Sequence, residues 1–176
     1  MFGLRLPGST LADAQARWGD GLQLAVVAER GQGGALEAYV DSFDGGGVAG
    51  RLVLATGLSA TAVGKLRDNA VRSDALGATA LRYTLRAEDR PEALRSAITG
   101  LSFIPAAKLE AAALEQRFGR PAERLKLGPT QVHWLYPALG LAIAVDGQGK
   151  DLLQYAAPAD FESRLRAPLL AAGAAP

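Results

Sequence analysis

Two periodicities alternate along the chain. Short stretches with every second residue apolar predict strands, and longer ones with apolar residues three or four apart predict helices. Ser9 or Thr10 can cap a first helix over Leu11 to Trp18, which Gly19 ends. Leu22 to Val27 then predicts a strand, Arg30-Gly31-Gln32-Gly33-Gly34 a turn, and Leu36 to Ser42 a returning strand with Leu36, Ala38 and Val40 on one face. Asp44-Gly45-Gly46-Gly47 turns into a third strand, Leu52 to Ala55, and Ser59 caps a helix that runs to Asn69.

The second half repeats this order. Ala106 to Phe118 predicts a helix with Leu109, Ala113 and Leu114 on one side; Gly119 ends it and Pro121 prevents its resumption. Val132, Trp134 and Tyr136 alternate on a strand, Pro137-Ala138 turns, and Leu139 to Val145 returns. Asp146-Gly147-Gln148-Gly149 turns again before a strand over Leu152 to Ala156 and a closing helix over Pro158 to Leu170. Residue types match as well as order: Ala16-Arg17-Trp18-Gly19 sits opposite Gln116-Arg117-Phe118-Gly119, and Asp44-Gly45-Gly46-Gly47 opposite Asp146-Gly147-Gln148-Gly149. Between the halves, Thr79, Leu81, Tyr83 and Leu85 alternate with polar neighbours on a strand, and Pro91 to Thr99 reads as a short helix with Pro at its start.

The expected fold is therefore α+β. Two α-β-β-β-α repeats pack side by side, with an antiparallel sheet and helices on one face. Residues 1–76 form the first repeat, 77–100 a connecting strand and helix, and 101–176 the second, all in one compact body.

Composition narrows the function. The chain has 176 residues, 49% of them apolar, which suffices for a sizeable core although much of that fraction is Ala. Aromatics make up only 6%, so each is a candidate anchor for packing or binding. The net charge of +1 comes with scattered basic residues, which argues against nucleic acid as a partner. The chain has no cysteine, which removes disulfides, thiolate metal sites and cysteine nucleophiles. No apolar run is long enough for a transmembrane helix, and Met1-Phe2-Gly3-Leu4 lacks the features of a signal peptide.

The chemical motifs are weak on their own terms. Gly45 to Gly50 has the spacing G-x-G-x-x-G, but a dinucleotide site needs a helix behind the glycines and the apolar run Leu52 to Ala55 predicts a strand. Gly57 to Leu66 has the wrong spacing for a phosphate loop, and a helix with Gly64 closely packed explains it. His133 is the only histidine, so no histidine metal cage can form, and its parity opposite Val132 and Trp134 predicts a surface position on the sheet. The acidic pairs Glu88-Asp89 and Asp160/Glu162 do not predict two carboxylates converging on a cleft. No catalytic residue, metal site or cofactor is expected.

The sheet face opposite the helices is the better candidate. Its parity places Glu37, Tyr39 and Asp41, then Arg82, Thr84 and Arg86, then Gln131 and His133, then Leu153 and Tyr155 together. An antiparallel sheet can leave one face open, and Tyr and Arg are the types that anchor interfaces. Tyr39, Arg82, Arg86, His133 and Tyr155 are the candidate binding residues.

The helix ending in Arg117-Phe118-Gly119-Arg120-Pro121, the hairpin carrying Trp134-Leu135-Tyr136, the Asp146-Gly147 turn and the last strand resemble the repeat of small bacterial envelope proteins. These are the outer-membrane assembly lipoproteins of the BamE (SmpA/OmlA) type and the tandem-repeat β-lactamase inhibitor proteins. The resemblance covers residues 101–165 best and 8–68 more loosely. It implies a helical pair on an antiparallel meander, two units sharing one curved sheet, and a concave face that grips a partner. It carries no partner and no functional residue across, and the chain departs from both groups in having no cysteine.

The expectation is a non-enzymatic periplasmic or secreted protein, its leader encoded upstream of Met1, that recognises a protein partner through the open sheet face. Two alternatives stay open. One is a small-ligand-binding protein or small enzyme with a pocket between the repeats, with His133 or the Gly45 to Gly50 turn at its rim. The other is a structural subunit of a cell-envelope assembly complex, marked by a large exposed apolar patch.

Overall fold

The computed structural model describes residues 2–175. The strands are β1 (Gln23–Glu29), β2 (Ala35–Asp44), β3 (Ala49–Thr56), β4 (Arg72–Leu76), β5 (Ala80–Thr84), β6 (Ile98–Pro105), β7 (Glu123–Leu127), β8 (Gln131–Tyr136), β9 (Leu141–Asp146) and β10 (Leu152–Ala156). The helices are α1 (Leu11–Trp18), α2 (Ala60–Asp68), α3 (Arg90–Leu94), α4 (Ala111–Phe118) and α5 (Ala167–Ala171). The protein is α+β, with a sheet in the order β4-β5-β1-β2-β3-β6-β10-β9-β8-β7. Contacts divide the chain into two units. Unit 1 is Met1–Asp41 with Val53–Thr99, and unit 2 is Ser42–Leu52 with Gly100–Pro176.

Local chemistry explains the elements that follow the sequence pattern. Thr10 and Asp13 close a capping box on α1: Thr10 Oγ1 accepts the Asp13 N–H at 3.4 Å and Asp13 Oδ2 accepts the Thr10 N–H at 2.7 Å. The Thr10 N–H and, at 3.0 Å, the Thr10 hydroxyl both donate to the Asp13 carboxyl and hold it below its usual range. Gly19 ends α1 with φ 55° and Gly119 ends α4 with φ 77°, conformations that side chains with a Cβ avoid. Ser59 caps α2 by accepting the Ala62 N–H at 3.3 Å.

Four expectations need correction. Strand extends on both sides of the expected connector strand: Arg72–Leu76, at the end of the expected first repeat, is β4 and pairs with β5 as a hairpin, and the helix at Pro91 stops at Leu94 before β6 begins at Ile98. Glu123–Leu127, for which the pattern predicts no element, is β7 and pairs with β8. The helix expected from Ala106 begins only at Ala111, because Asp151 draws the Leu109 N–H to its carboxylate at 2.7 Å and Lys108 reaches the β9–β10 turn. The closing helix is a 3₁₀ turn, a π-helical turn over Glu162–Arg166 and then α5, whose Pro168 has no N–H to continue the regular ladder.

In unit 1 one strand parity is apolar and buried. Leu24, Val26, Leu36, Ala38 and Leu54 are at most 6% exposed, and the helices bury Leu11, Ala14, Val63, Leu66 and Ala93. The opposite parity is mixed: Gln23, Glu37, Arg82 and Thr84 are polar and exposed or half-buried, whereas Ala25 and Tyr39 are buried. Unit 2 is different, because both parities are buried. Leu125, Leu135, Ala142 and Ala156 cluster with Phe161 and Leu165 of the C-terminal helical segment. On the other face Trp134, Tyr136, Leu141, Ile143, Leu153 and Tyr155 are buried too, with the Tyr136 ring 6.0 Å from that of Phe118. The expected cover of helices on one face does not describe this unit.

Candidate functional site

The register of unit 1 assembles a polar face. Gln23 lies opposite Tyr39 and Ala25 opposite Glu37 across β1–β2. Ala25 lies opposite Thr84 and Val27 opposite Arg82 across β1–β5, and Thr84 and Arg82 face Arg72 and Asp74 across β4–β5. All these residues share one parity, on which Ala25 and Tyr39 are buried and the polar side chains around them are exposed or half-buried.

Tyr39 and Arg82 are coupled at its centre. Arg82 Nη1 donates to Tyr39 Oη at 2.9 Å, and the guanidinium carbon sits 5.8 Å from the Tyr39 ring centre. Tyr39 is buried while Arg82 stays half-exposed. Around them opens a cleft of about 320 Å³ whose wall includes Gln15, Gln23, Arg72, Thr84 and Arg90. Arg72 Nε pairs with Asp74 Oδ2 at 3.0 Å, Gln23 donates to Asp41 at 3.3 Å, and Arg90 donates weakly to Gln15 at 3.5 Å.

The five candidate residues do not form one surface. Tyr39 and Arg82 are together on the unit 1 face. Arg86 is exposed but lies beyond the end of β5 at Thr84, where parity no longer orients it. His133 is 4% exposed, so the expected surface position is overturned. It lies between Leu125 and Ala144 in the register, and those neighbours belong to a packed layer. Its Nε2 is 2.8 Å from Gln131 Oε1, its Nδ1 has no hydrogen-bond partner among the described residues, and burial lowers its pKa. Tyr155 is on the opposite face of unit 2, with Leu141 across β9–β10, and is 8% exposed; burial pushes its pKa up to about 12. The expected grouping fails because the register buries Leu153 and Tyr155 beside Phe103 and Leu101, on a face of unit 2 that is itself packed.

The glycine motif has a structural explanation. Asp44 Oδ1 accepts the Gly46 and Gly47 N–H groups at 2.8 and 2.6 Å, so the donors a phosphate would need are engaged in an Asx turn. A Cβ at Gly50 would come within 2.6 Å of the Phe103 ring, so Gly50 is required by the close approach of β3 to β6. Gly64 has open space around it, which corrects the expected close packing.

Sequence reasoning missed Arg72, Arg90, Gln15 and Gln23. Arg72 was hidden because Arg72-Ser73-Asp74-Ala75-Leu76 has little apolar periodicity. The available signal was Gly77 as a hairpin turn between Val71–Leu76 and Ala80–Leu85. Among the described residues no group of three His, Asp or Glu side chains is placed to hold a metal, and no helix is long and apolar enough to cross a membrane. In comparisons with known proteins the chain matches no family model, no curated protein and no solved structure.

Proposed function

We propose that the protein is a non-enzymatic, periplasmic or secreted binding protein that recognises a protein partner through the polar sheet face of unit 1. The observation that carries this reading is the Tyr39–Arg82 pair, an anchored aromatic and a half-exposed guanidinium on an antiparallel face whose opposite parity holds the core. Such a face offers a partner an arginine that the buried Tyr39 hydroxyl already holds in place, at little cost in side-chain entropy. The envelope setting rests on the resemblance to the BamE-type and inhibitor repeats.

The finer fold reading belongs with this proposal: the two halves descend from one repeat. Supporting it, α1-β1-β2-β3 and α4-β8-β9-β10 run in the same order, β7 being inserted in the second. The helix-ending glycines correspond, each donating its N–H to the carbonyl four residues earlier, Gln15 or Glu115. The β2–β3 and β9–β10 turns correspond as well: Asp44 accepts the Gly46 N–H at 2.8 Å and Asp146 accepts the Gln148 N–H at 2.9 Å.

Affinity capture from an envelope extract tests the function. A partner retained by the wild-type chain and by Lys65→Ala on α2, but lost from the Gln23→Ala/Arg82→Ala variant, is the expected result. Equal retention by that double variant refutes it.

A further inference from the structure

Three arginines and one carboxylate form the charged lining of the unit 1 cleft, with Asp41 and Asp74 bonded to lining residues beside it. Arg72, Arg82 and Arg90 line it, with Asp20 as the one carboxylate in the lining. Arg72 is met by Asp74 at 3.0 Å, but among the described residues neither Arg82 nor Arg90 has an ion-pair partner within 4.0 Å. Their hydrogen bonds are to neutral groups: the Tyr39 hydroxyl and, at 3.5 Å, the Gln15 amide. These contacts orient the two guanidiniums and leave most of their N–H donors unused. Like charges gathered on one cleft repel each other, and a bound anion relieves that repulsion. A guanidinium presents its donors as a planar fork that matches a carboxylate.

We propose that this cleft is a carboxylate-binding site that seats an acidic side chain of a peptide segment, with Arg82 and Arg90 as its ligands and Thr84 and Tyr39 on its floor. The inference rests on the proposed partner-binding face and names the chemistry of what that face takes. The cleft, at about 320 Å³, has room for an acidic side chain and part of its backbone. Complementary charge is what selects the occupant, so an acidic segment is favoured over a neutral or basic one.

The test follows the arginine Nε–H resonances of the ¹⁵N-labelled chain by NMR, with hexaglutamate as the probe. The expected result is a saturable shift of the Arg82 and Arg90 resonances, absent with hexaglutamine. Affinity should fall at least about tenfold in Arg82→Gln and in Arg90→Gln, the loss of one charge-assisted contact. It should be unchanged in Arg30→Gln, which removes a charge from an exposed turn. The amide spectrum of each variant confirms that it is folded. No saturable shift, or equal weakening by Arg30→Gln, overturns the site. Tighter binding of citrate or inorganic phosphate than of hexaglutamate overturns the peptide assignment. Hexaglutamate binding alongside undiminished partner capture by the Gln23→Ala/Arg82→Ala variant refutes the partner face and leaves the site standing. Selective capture without hexaglutamate binding does the reverse.

Discussion

Replacing Asp151 should unfold unit 2 well before any other single polar change there. Its side chain is fully buried, and it accepts the Leu109 N–H at 2.7 Å and the Asp146 N–H at 3.1 Å, with Lys108 Nζ at 3.5 Å. One carboxylate thus joins the segment that leads into α4 to the β9–β10 turn. Asp151→Ala strands two backbone donors, at about 1–3 kcal/mol each when buried, so the expected cost is about 3–5 kcal/mol. Asp151→Asn keeps one acceptor and turns an amide N–H toward a donor, for about 2 kcal/mol. Lys108→Met should cost less, about 1–2 kcal/mol, because the Lys108 side chain is 53% exposed although it donates to the Asp146 and Gly149 carbonyl oxygens and lies beside the buried Asp151 carboxylate. Urea unfolding followed by Trp134 emission in a Trp18→Phe background reads unit 2 alone, since the chain has two tryptophans and Trp18 is in unit 1. A cost below about 1 kcal/mol for Asp151→Ala, or an equal cost for Lys108→Met, refutes the reasoning.

Other consequences follow from the same geometry. Gly140→Ala should destabilise by more than the ~1 kcal/mol of a left-handed residue, because φ is 60° and a Cβ would overlap the Ala156 carbonyl oxygen; urea midpoints measure it. Leu135→Ala, at a fully buried site, should cost about 2–5 kcal/mol by the same assay. Burial lowers the His133 pKa, so the unfolded chain takes up that proton first as pH falls. Stability should drop as pH falls below the unfolded value of 6.5, and the drop should end once pH passes the folded pKa; a His133→Gln variant should lack this step. Glu123 is held below its usual range by Arg166, which donates to it at 2.7 and 3.1 Å. That contribution is present above the unfolded carboxylate pKa and lost as pH falls through the folded one, so Glu123→Gln should flatten the acid limb of stability against pH.

The helix ends and tight turns were legible because single residues decide them. Thr10, Gly19, Ser59, Asp44 and Asp146 act on backbone groups within a few positions, and their roles follow from their own chemistry. The strands that escaped detection are those whose partners supply the pattern. β4 is polar on its own and becomes recognisable only against β5, and β7 only against β8. Tyr39 and Arg82 are 43 positions apart and meet because both pair with β1. His133 and Tyr155 went astray for one reason: an alternating strand shows which residues share a face, but not which face is covered, and in unit 2 both are packed.

The central claim is that the polar face of unit 1 is where the partner binds. Photocrosslinking tests it most directly: p-benzoylphenylalanine is placed at Gln23 on that face, or at Thr61 on the exposed side of α2, and the chain is irradiated in cells that naturally produce it. The account predicts a discrete adduct from position 23, none from position 61, and loss of the adduct when Arg82→Ala is added. An adduct from position 61 with none from position 23 would contradict it.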